Sequence, residues 1–302
     1  MTILVGTSSW TDKSLIGCGR FYPREARSAE ARLRYYASQF PIVEVDSSYY
    51  AMPSASTAQL WAERTPSGFA FNVKAFRLFT GHQTSPTVLH KDLQAAIAAS
   101  ATLRRKKLLY YRDMPGEIRA ELWRRFIEAL APLNAAGKLR AVHFQFAPWI
   151  LRNREGLEHV AHCVQSMAGH TLAVEFRNRT WFEGEHAAAT LAFERELNVI
   201  HVVVDAPQGF ANSVPALWEV ANPALAILRL HGRNRETWNR KGLASSSERF
   251  DYDYSEQELA ALVPPIRELA KRVGAMHVVF NNNYEDQGQR NARALMRLLD
   301  AT

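Results

Sequence analysis

Short apolar runs rich in Val, Ile and Phe punctuate the chain at Ile3–Gly6, Ile42–Val45, Phe69–Val73, Leu139–Phe144, Thr171–Val174, Val199–Val204, Leu225–Leu230 and Ala275–Phe280. Each is short and nearly continuous in its hydrophobicity, which predicts strands buried on both faces. Between them, apolar residues recur at helical spacing over Ser28–Gln39, Ser56–Arg64, Arg154–Met167, Glu185–Leu197, Ser255–Val273 and Gln287–Leu299. Ser255 followed three positions later by Glu258 is a capping-box helix start. The stretch 91–134 is too long for one crossover helix and predicts two or more. After Val204, Pro207, Pro215 and Pro223 leave little room for a helix, so the sixth unit is the weakest.

Strand–helix alternation repeated eight times implies a parallel sheet, and eight units permit closure. The fold class is therefore α/β, a single (β/α)8 TIM barrel spanning residues 1–302 as one domain, a length in keeping with the ~250 residues such barrels need. A doubly wound sheet is the rival. Against it, no strand is followed by GxGxxG or a P-loop, and Gly17 and Gly19 lack the remaining spacing.

Alternate strand residues point to opposite faces, so one parity faces the barrel interior. Glu44 and Asp46 share a parity at the end of the second strand, Asn72 and Lys74 in the third, and His143 and Gln145 in the fourth. Glu175 and Arg177 do so in the fifth, His201 and Asp205 in the sixth, and Arg229 and His231 in the seventh. The eighth run leads into Asn281, Asn282 and Asn283. The C-terminal ends of barrel strands form an open rim, where such enzymes place their sites. On that placement Glu44 and Glu175 face solvent, and changing either to Gln is expected to cost the fold little. The alternative is a closed salt-bridge network that plugs the barrel.

Composition narrows the picture. Hydrophobic residues at 47% and charged residues at 22% indicate a globular chain. Cys18 and Cys163 stand far apart with no CxxC spacing, so neither a zinc site nor a redox pair is expected. The first residues read as a strand rather than a signal peptide, and no run approaches the ~20 apolar residues of a membrane span. A soluble, cytoplasmic protein without membrane contact is expected. The net charge of +7 favours anionic partners. Its basic runs, Arg104 to Lys107 and Arg124–Arg125, lack the interleaved aromatics of a single-strand binding surface. Nucleic acid is therefore a minority alternative to an anionic small molecule. Oligomeric state has no signature.

The strand-end residues divide by chemistry. Glu44 and Glu175 could act as a split acid–base pair, with Lys74 and His231 as further catalytic candidates. Arg177 and Arg229 offer forked donors for phosphate or carboxylate. Trp10, Tyr49, Tyr50 and Trp181 are candidate aromatic walls, and Asp46, Asn72, Gln145, Asp205, Asn281 and Asn282 complete the substrate-contacting set. The expected function is binding of a phosphorylated or sugar-like molecule at the C-terminal mouth, with hydrolase or lyase chemistry as the catalytic form. No cofactor is expected.

Two alternatives stay open. Glu44, Glu175, Asp205 and His231 could hold a metal, as in phosphodiesterase- or isomerase-type barrels. Lys74, Arg177 and Arg229 would repel it, and HExxH is absent, so no metal ligands are assigned. The other is a non-catalytic protein that binds nucleotide or nucleic acid. A serine nucleophile is weaker, since GxSxG is absent around Ser8 and Ser9.

These motifs together resemble a known family. Gly6-Thr7-Ser8-Ser9-Trp10 with Phe21-Tyr22-Pro23 opens the match, followed by Val43 to Tyr50 with Pro53, and Phe69 to Lys74. Glu175-Phe176-Arg177-Asn178 with Trp181, Arg229 to Arg233, Asp251 to Tyr254, and Asn281 to Asn283 with Asn291-Ala292 continue it nearly to the end. The chain is similar to the YecE-like proteins (domain of unknown function 72), which implies a (β/α)8 barrel and a shared strand-end cluster, without a reaction. Asp46 stands where the family often has Asn.

Overall fold

The computed structural model of the protein describes residues 2–243 and 245–301. Strands β1 (Thr2–Ser8), β2 (Ile42–Val45), β3 (Ala70–Lys74), β4 (Leu139–Gln145), β5 (Leu172–Glu175), β6 (Ile200–Asp205), β7 (Leu225–Leu230) and β8 (Ala275–Phe280) pair in chain order. Every pairing is parallel, and β8 returns to β1 to close the barrel. Closure requires β1 and β2 to approach closely at Gly6, where a Cβ would lie 2.1 Å from the Ile42 carbonyl oxygen. Only glycine fits there.

Outward residues such as Val43, Val45, Phe71, Val73, Phe144 and Leu228 pack under the helices. Those helices are α1 (Lys13–Cys18), α2 (Ala29–Gln39), α3 (Ser47–Tyr50), α4 (Ala55–Glu63), α5 (Lys91–Ala99), α6 (Gly116–Ala135), α7 (Arg154–Ser166), α8 (His186–Glu196), α9 (Glu256–Ala270) and α10 (Gln287–Asp300). Ser28, Ser54 and Ser255 cap α2, α4 and α9 through side-chain oxygens that accept backbone N–H groups. The capping box at Ser255 and Glu258 forms as the sequence predicts. The 91–134 stretch holds α5 and most of α6, and no helix lies between β6 and β7 among the described residues. Short α1 and α3 are additions that periodicity cannot register over so few residues. No described helix is long and apolar enough to cross a membrane.

The lower lumen is filled by Ala141, Ala173, Ile200, Val202, Leu225 and Ile227. Strand β6 thus turns Ile200, Val202 and Val204 inward, the reverse of the expected parity. Register makes the reason plain: Val204 lies beside inward Arg229, while Asp205 lies beside outward Leu230 and His201 beside outward Val174. His201 Nδ1 instead meets Glu194 of α8 at 2.9 Å, so its polar group is satisfied outside the barrel.

Candidate functional site

Above the apolar layer, neighbouring strands bring polar residues of one parity together. Register sets Ser8 beside Glu44, Glu44 beside Asn72, Lys74 beside His143, and Gln145 beside Glu175. Arg229 reaches across the lumen from β7 and joins both carboxylates: Nη2 lies 2.6 Å from Glu44 Oε1, and Nη1 2.5 Å from Glu175 Oε2. The His143 ring bridges the same pair from the opposite wall, 3.1 Å from Glu44 and 3.3 Å from Glu175. Ser8 Oγ donates to Glu44, and Arg229 also donates to Gln145 Oε1. Arg177 Nη1 donates to Glu175 Oε1 at 2.9 Å. His231 Nδ1 lies 2.8 Å from Asn281 Nδ2, and its Nε2 lies 3.2 Å from Glu175 Oε1 and 3.3 Å from Nη1 of both Arg177 and Arg229. Lower down, His277 Nδ1 donates to Asn72 Oδ1 at 3.2 Å.

This network is sealed rather than open. Glu44, Glu175 and Arg229 are each 0% exposed, which corrects the expectation of solvent-facing carboxylates. The loop after β7 folds over the mouth, and its Phe250 and Trp238 rings lie 5.7 and 6.2 Å from His231. Burial pushes the Glu44 carboxyl up, but Arg229, His143 and Lys74 outweigh it and hold it well below the usual range. For Glu175, burial is likewise overcome, by Arg229, His231 and His143. Burial lowers His231 to about 3 despite Glu175. Two carboxylates shifted in the same direction by shared cations are not pushed apart as a split acid–base pair requires, so the arrangement runs against that role for Glu44 and Glu175. The guanidinium of Arg229 occupies the space between them where a metal would sit. Among the described residues, no His, Cys, Asp and Glu group is arranged to hold a metal ion.

Other candidates separate. Asp205 is turned outward and held by Arg233 at 3.0 Å and by the Tyr254 hydroxyl at 2.5 Å, so it leaves the mouth and breaks the four-ligand metal set. Asn282 points away from the lumen and donates to Tyr252 O and Asn291 Oδ1. Trp10 is buried edge-on against Trp61. Trp181 is stacked on Phe176 at 3.7 Å with its N–H given to Ile150 O, so both tryptophans are packing residues. Lys74, Asp46, Arg177, Asn281 and Tyr50 do gather around the mouth.

Sequence reading missed the residue that defines the rim. Arg77 follows β3, and its guanidinium lies 5.2 Å from the Tyr49 ring centroid, on a ring that also carries Lys74 Nζ at 4.5 Å. Its Nε is buried without a hydrogen-bond partner, and none of the described carboxylates pairs with it. Lys74 has Asp46 at 2.8 Å, whose charge outweighs burial and raises the ammonium's pKa. Arg177 lies 4.9 Å over Trp238. Beside them burial, then Arg77, Lys74 and Arg177, push His82 down to about 3. Lys74, Arg77, Arg177 and Arg229 thus face Asp46, Glu44 and Glu175, which leaves Arg77 uncompensated. A basic residue three positions beyond Lys74 was the available signal.

Comparison with known proteins agrees with this fold from end to end. The family model described as "Protein of unknown function DUF72" matches residues 4–302. A curated relative, UPF0759 protein YunF of Bacillus subtilis (strain 168), is 31% identical over 300 residues, covering 99% of this chain and 95% of the relative. A DUF72 family protein from Enterococcus faecalis V583 superposes with a TM-score of 0.78 at 26% identity, over 100% of this chain and 96% of that one. Another, from Thermotoga maritima MSB8, gives 0.76 at 27% identity, over 99% and 100%.

Proposed function

The chain belongs to the DUF72 family, and we propose that its barrel mouth binds a small oxyanion, a phosphate or phosphorylated molecule, without a metal. Arg77 is the observation that carries this reading: a cation with a buried, partnerless Nε and no carboxylate, set beside Lys74 and Arg177. Arg77 is half-buried, and an unpaired cation held close to other cations is repelled by them, a repulsion that a bound anion relieves. The sealed carboxylates beneath serve as a floor. Glu175 holds Arg177 from below and Asp46 holds Lys74, which keeps both cations aimed at the rim without neutralising Arg77. Tyr49 and Trp238 form the aromatic sides, and Tyr50 stands exposed at the edge.

The reading is one of binding, and no proton transfer is assigned to Glu44 or Glu175. Calorimetric titration with inorganic phosphate and glucose 6-phosphate, with and without chelator, tests it. Saturable binding indifferent to chelator is expected, weakening at least tenfold in Arg77→Gln and falling with added salt. No heat with either probe, binding that needs a divalent metal, or unchanged affinity in Arg77→Gln overturns it.

A further inference from the structure

Next to the mouth, outside the lumen, lies a cavity of about 570 Å³ lined from the loops after β3 and β4 and the start of α7. That volume lies within the range of small-molecule sites. Its main wall is Trp149, 50% exposed, whose indole N–H donates to Gly81 O at 3.0 Å. The bond pins one edge of the ring and leaves a face open. Gly81 has φ +82, a left-handed backbone that favours glycine, and it packs beside the Ile150 side chain. The His82 ring, which does not itself line the cavity, lies 5.5 Å from the Trp149 ring and 5.3 Å from the Tyr49 ring, and so links this loop to the mouth.

The polar groups at this cavity have unused capacity. Gln83 Oε1 accepts from the Tyr110 hydroxyl at 2.9 Å, which leaves its amide N–H groups free. Asn153 Oδ1 accepts from Gly156 N as the α7 cap, and its amide N–H groups are likewise unspent. Glu155 pairs with no described cation, while Arg112 lies 5.6 Å over the Tyr110 ring without a carboxylate partner. One acid and one base make the cavity electrically balanced, unlike the cationic mouth. An anion meets Glu155 as well as Arg112 here, and a purely apolar guest uses none of the open donors and acceptors.

A neutral ring bearing several hydroxyls satisfies both sets, since each hydroxyl donates and accepts. Its aliphatic C–H face also suits an exposed indole. We propose that this cavity is a sugar subsite, with a monosaccharide ring lying against Trp149 and its hydroxyls meeting Gln83, Asn153 and Glu155. The inference goes beyond the oxyanion reading and depends on no residue of it.

The experiment follows the indole N–H signals by ¹⁵N-resolved NMR while the full chain is titrated with glucose, galactose, N-acetylglucosamine and cellobiose. The Trp149 signal, assigned by its loss in Trp149→Ala, is expected to shift saturably with at least one sugar. Calorimetry should then show at least tenfold weaker binding in Trp149→Ala. Glu155→Gln, an exposed change in the first turn of α7 that leaves the Asn153 cap in place, should weaken it severalfold, and Arg77→Gln should leave it unchanged. A Trp149 signal unmoved by all four sugars, or sugar binding that survives both cavity substitutions, overturns the proposal.

Discussion

Two arginine–carboxylate clusters stand at the same end of this barrel, one inside the ring of strands and one outside it. Inside, Arg229 is 0% exposed and spans Glu44 and Glu175. Outside, Arg233 has a side chain 39% exposed and joins Asp205 to Glu258 at 3.0 and 3.1 Å. Each is one guanidinium shared by two carboxylates, with the inner contacts at 2.6 and 2.5 Å shorter than the outer pair. The difference is whether water can replace a lost partner, and this should decide what each cluster is worth. In the lumen a removed charge leaves its partners stranded in a dry space, whereas at the surface solvent and side-chain entropy absorb most of the change.

The largest effect should come from Arg229→Met, which leaves two ionised carboxylates facing each other. A loss of about 3–5 kcal/mol by chemical denaturation is expected. Glu175→Gln leaves Arg229 with Glu44 alone and Arg177 with no carboxylate, and should fall near the lower end of that range, contrary to the small cost implied by an open rim.

Acid should separate the clusters next. Burial lowers His231 and His277 to about 3, and lowers His82 to about 3 with help from Arg77, against an ordinary value of about 6.5. Between those values the unfolded chain binds protons that the folded chain refuses, so stability is full above pH ~6.5 and declines as pH falls toward ~3. His201 works in the opposite sense: Glu194 raises it in spite of burial, so its contribution is lost as pH rises through the raised value. Glu44 and Glu175, held low, lose theirs only as pH falls below the ordinary carboxylate range. Denaturation midpoints taken between pH 4 and 7 should therefore climb with pH. The climb should be smaller in His231→Asn, and a flat profile would contradict buried neutral rings.

Outside the barrel, Tyr254→Phe removes a charge-assisted hydrogen bond to Asp205 and should cost about 1.5 kcal/mol. Arg233→Gln, at a half-open site, should cost under ~1 kcal/mol. Equal losses for Arg229→Met and Arg233→Gln would dissolve the contrast between the two clusters.

Most of the barrel was legible because strands and helices differ in period, and strand-end parity identified the inward polar residues of β2, β3, β4, β5 and β7. It failed at β6 for a physical reason. Ile-His-Val-Val-Val-Asp sets Ile200, Val202 and Val204 on one face and His201, Val203 and Asp205 on the other, and polarity was taken to mark the lumen. His201 and Asp205 find their partners on α8 and beyond β7, which strand periodicity cannot show. Burial of the carboxylates was illegible too, since it depends on what closes over the strand ends, and the loop that sets Trp238 and Phe250 against His231 has no periodic pattern. Arg77 escaped because it lies past the strand, where parity has no meaning. Trp149 escaped for the same reason.

Arg229 lies 185 residues from Glu44 and 54 from Glu175, and it joins strands β2, β5 and β7, none of which neighbours another in the barrel. Ladder bonds can accumulate one strand pair at a time, but this three-way junction cannot form in any hairpin, half-barrel or open sheet. As the chain leaves the ribosome, Glu44 and Glu175 emerge long before the cation that fits between them, and both stay hydrated until β7 arrives. Dehydrating that pair is therefore a late event in assembly, coupled to the ring becoming whole. A chain stopped before residue 229 has every reason to stay open.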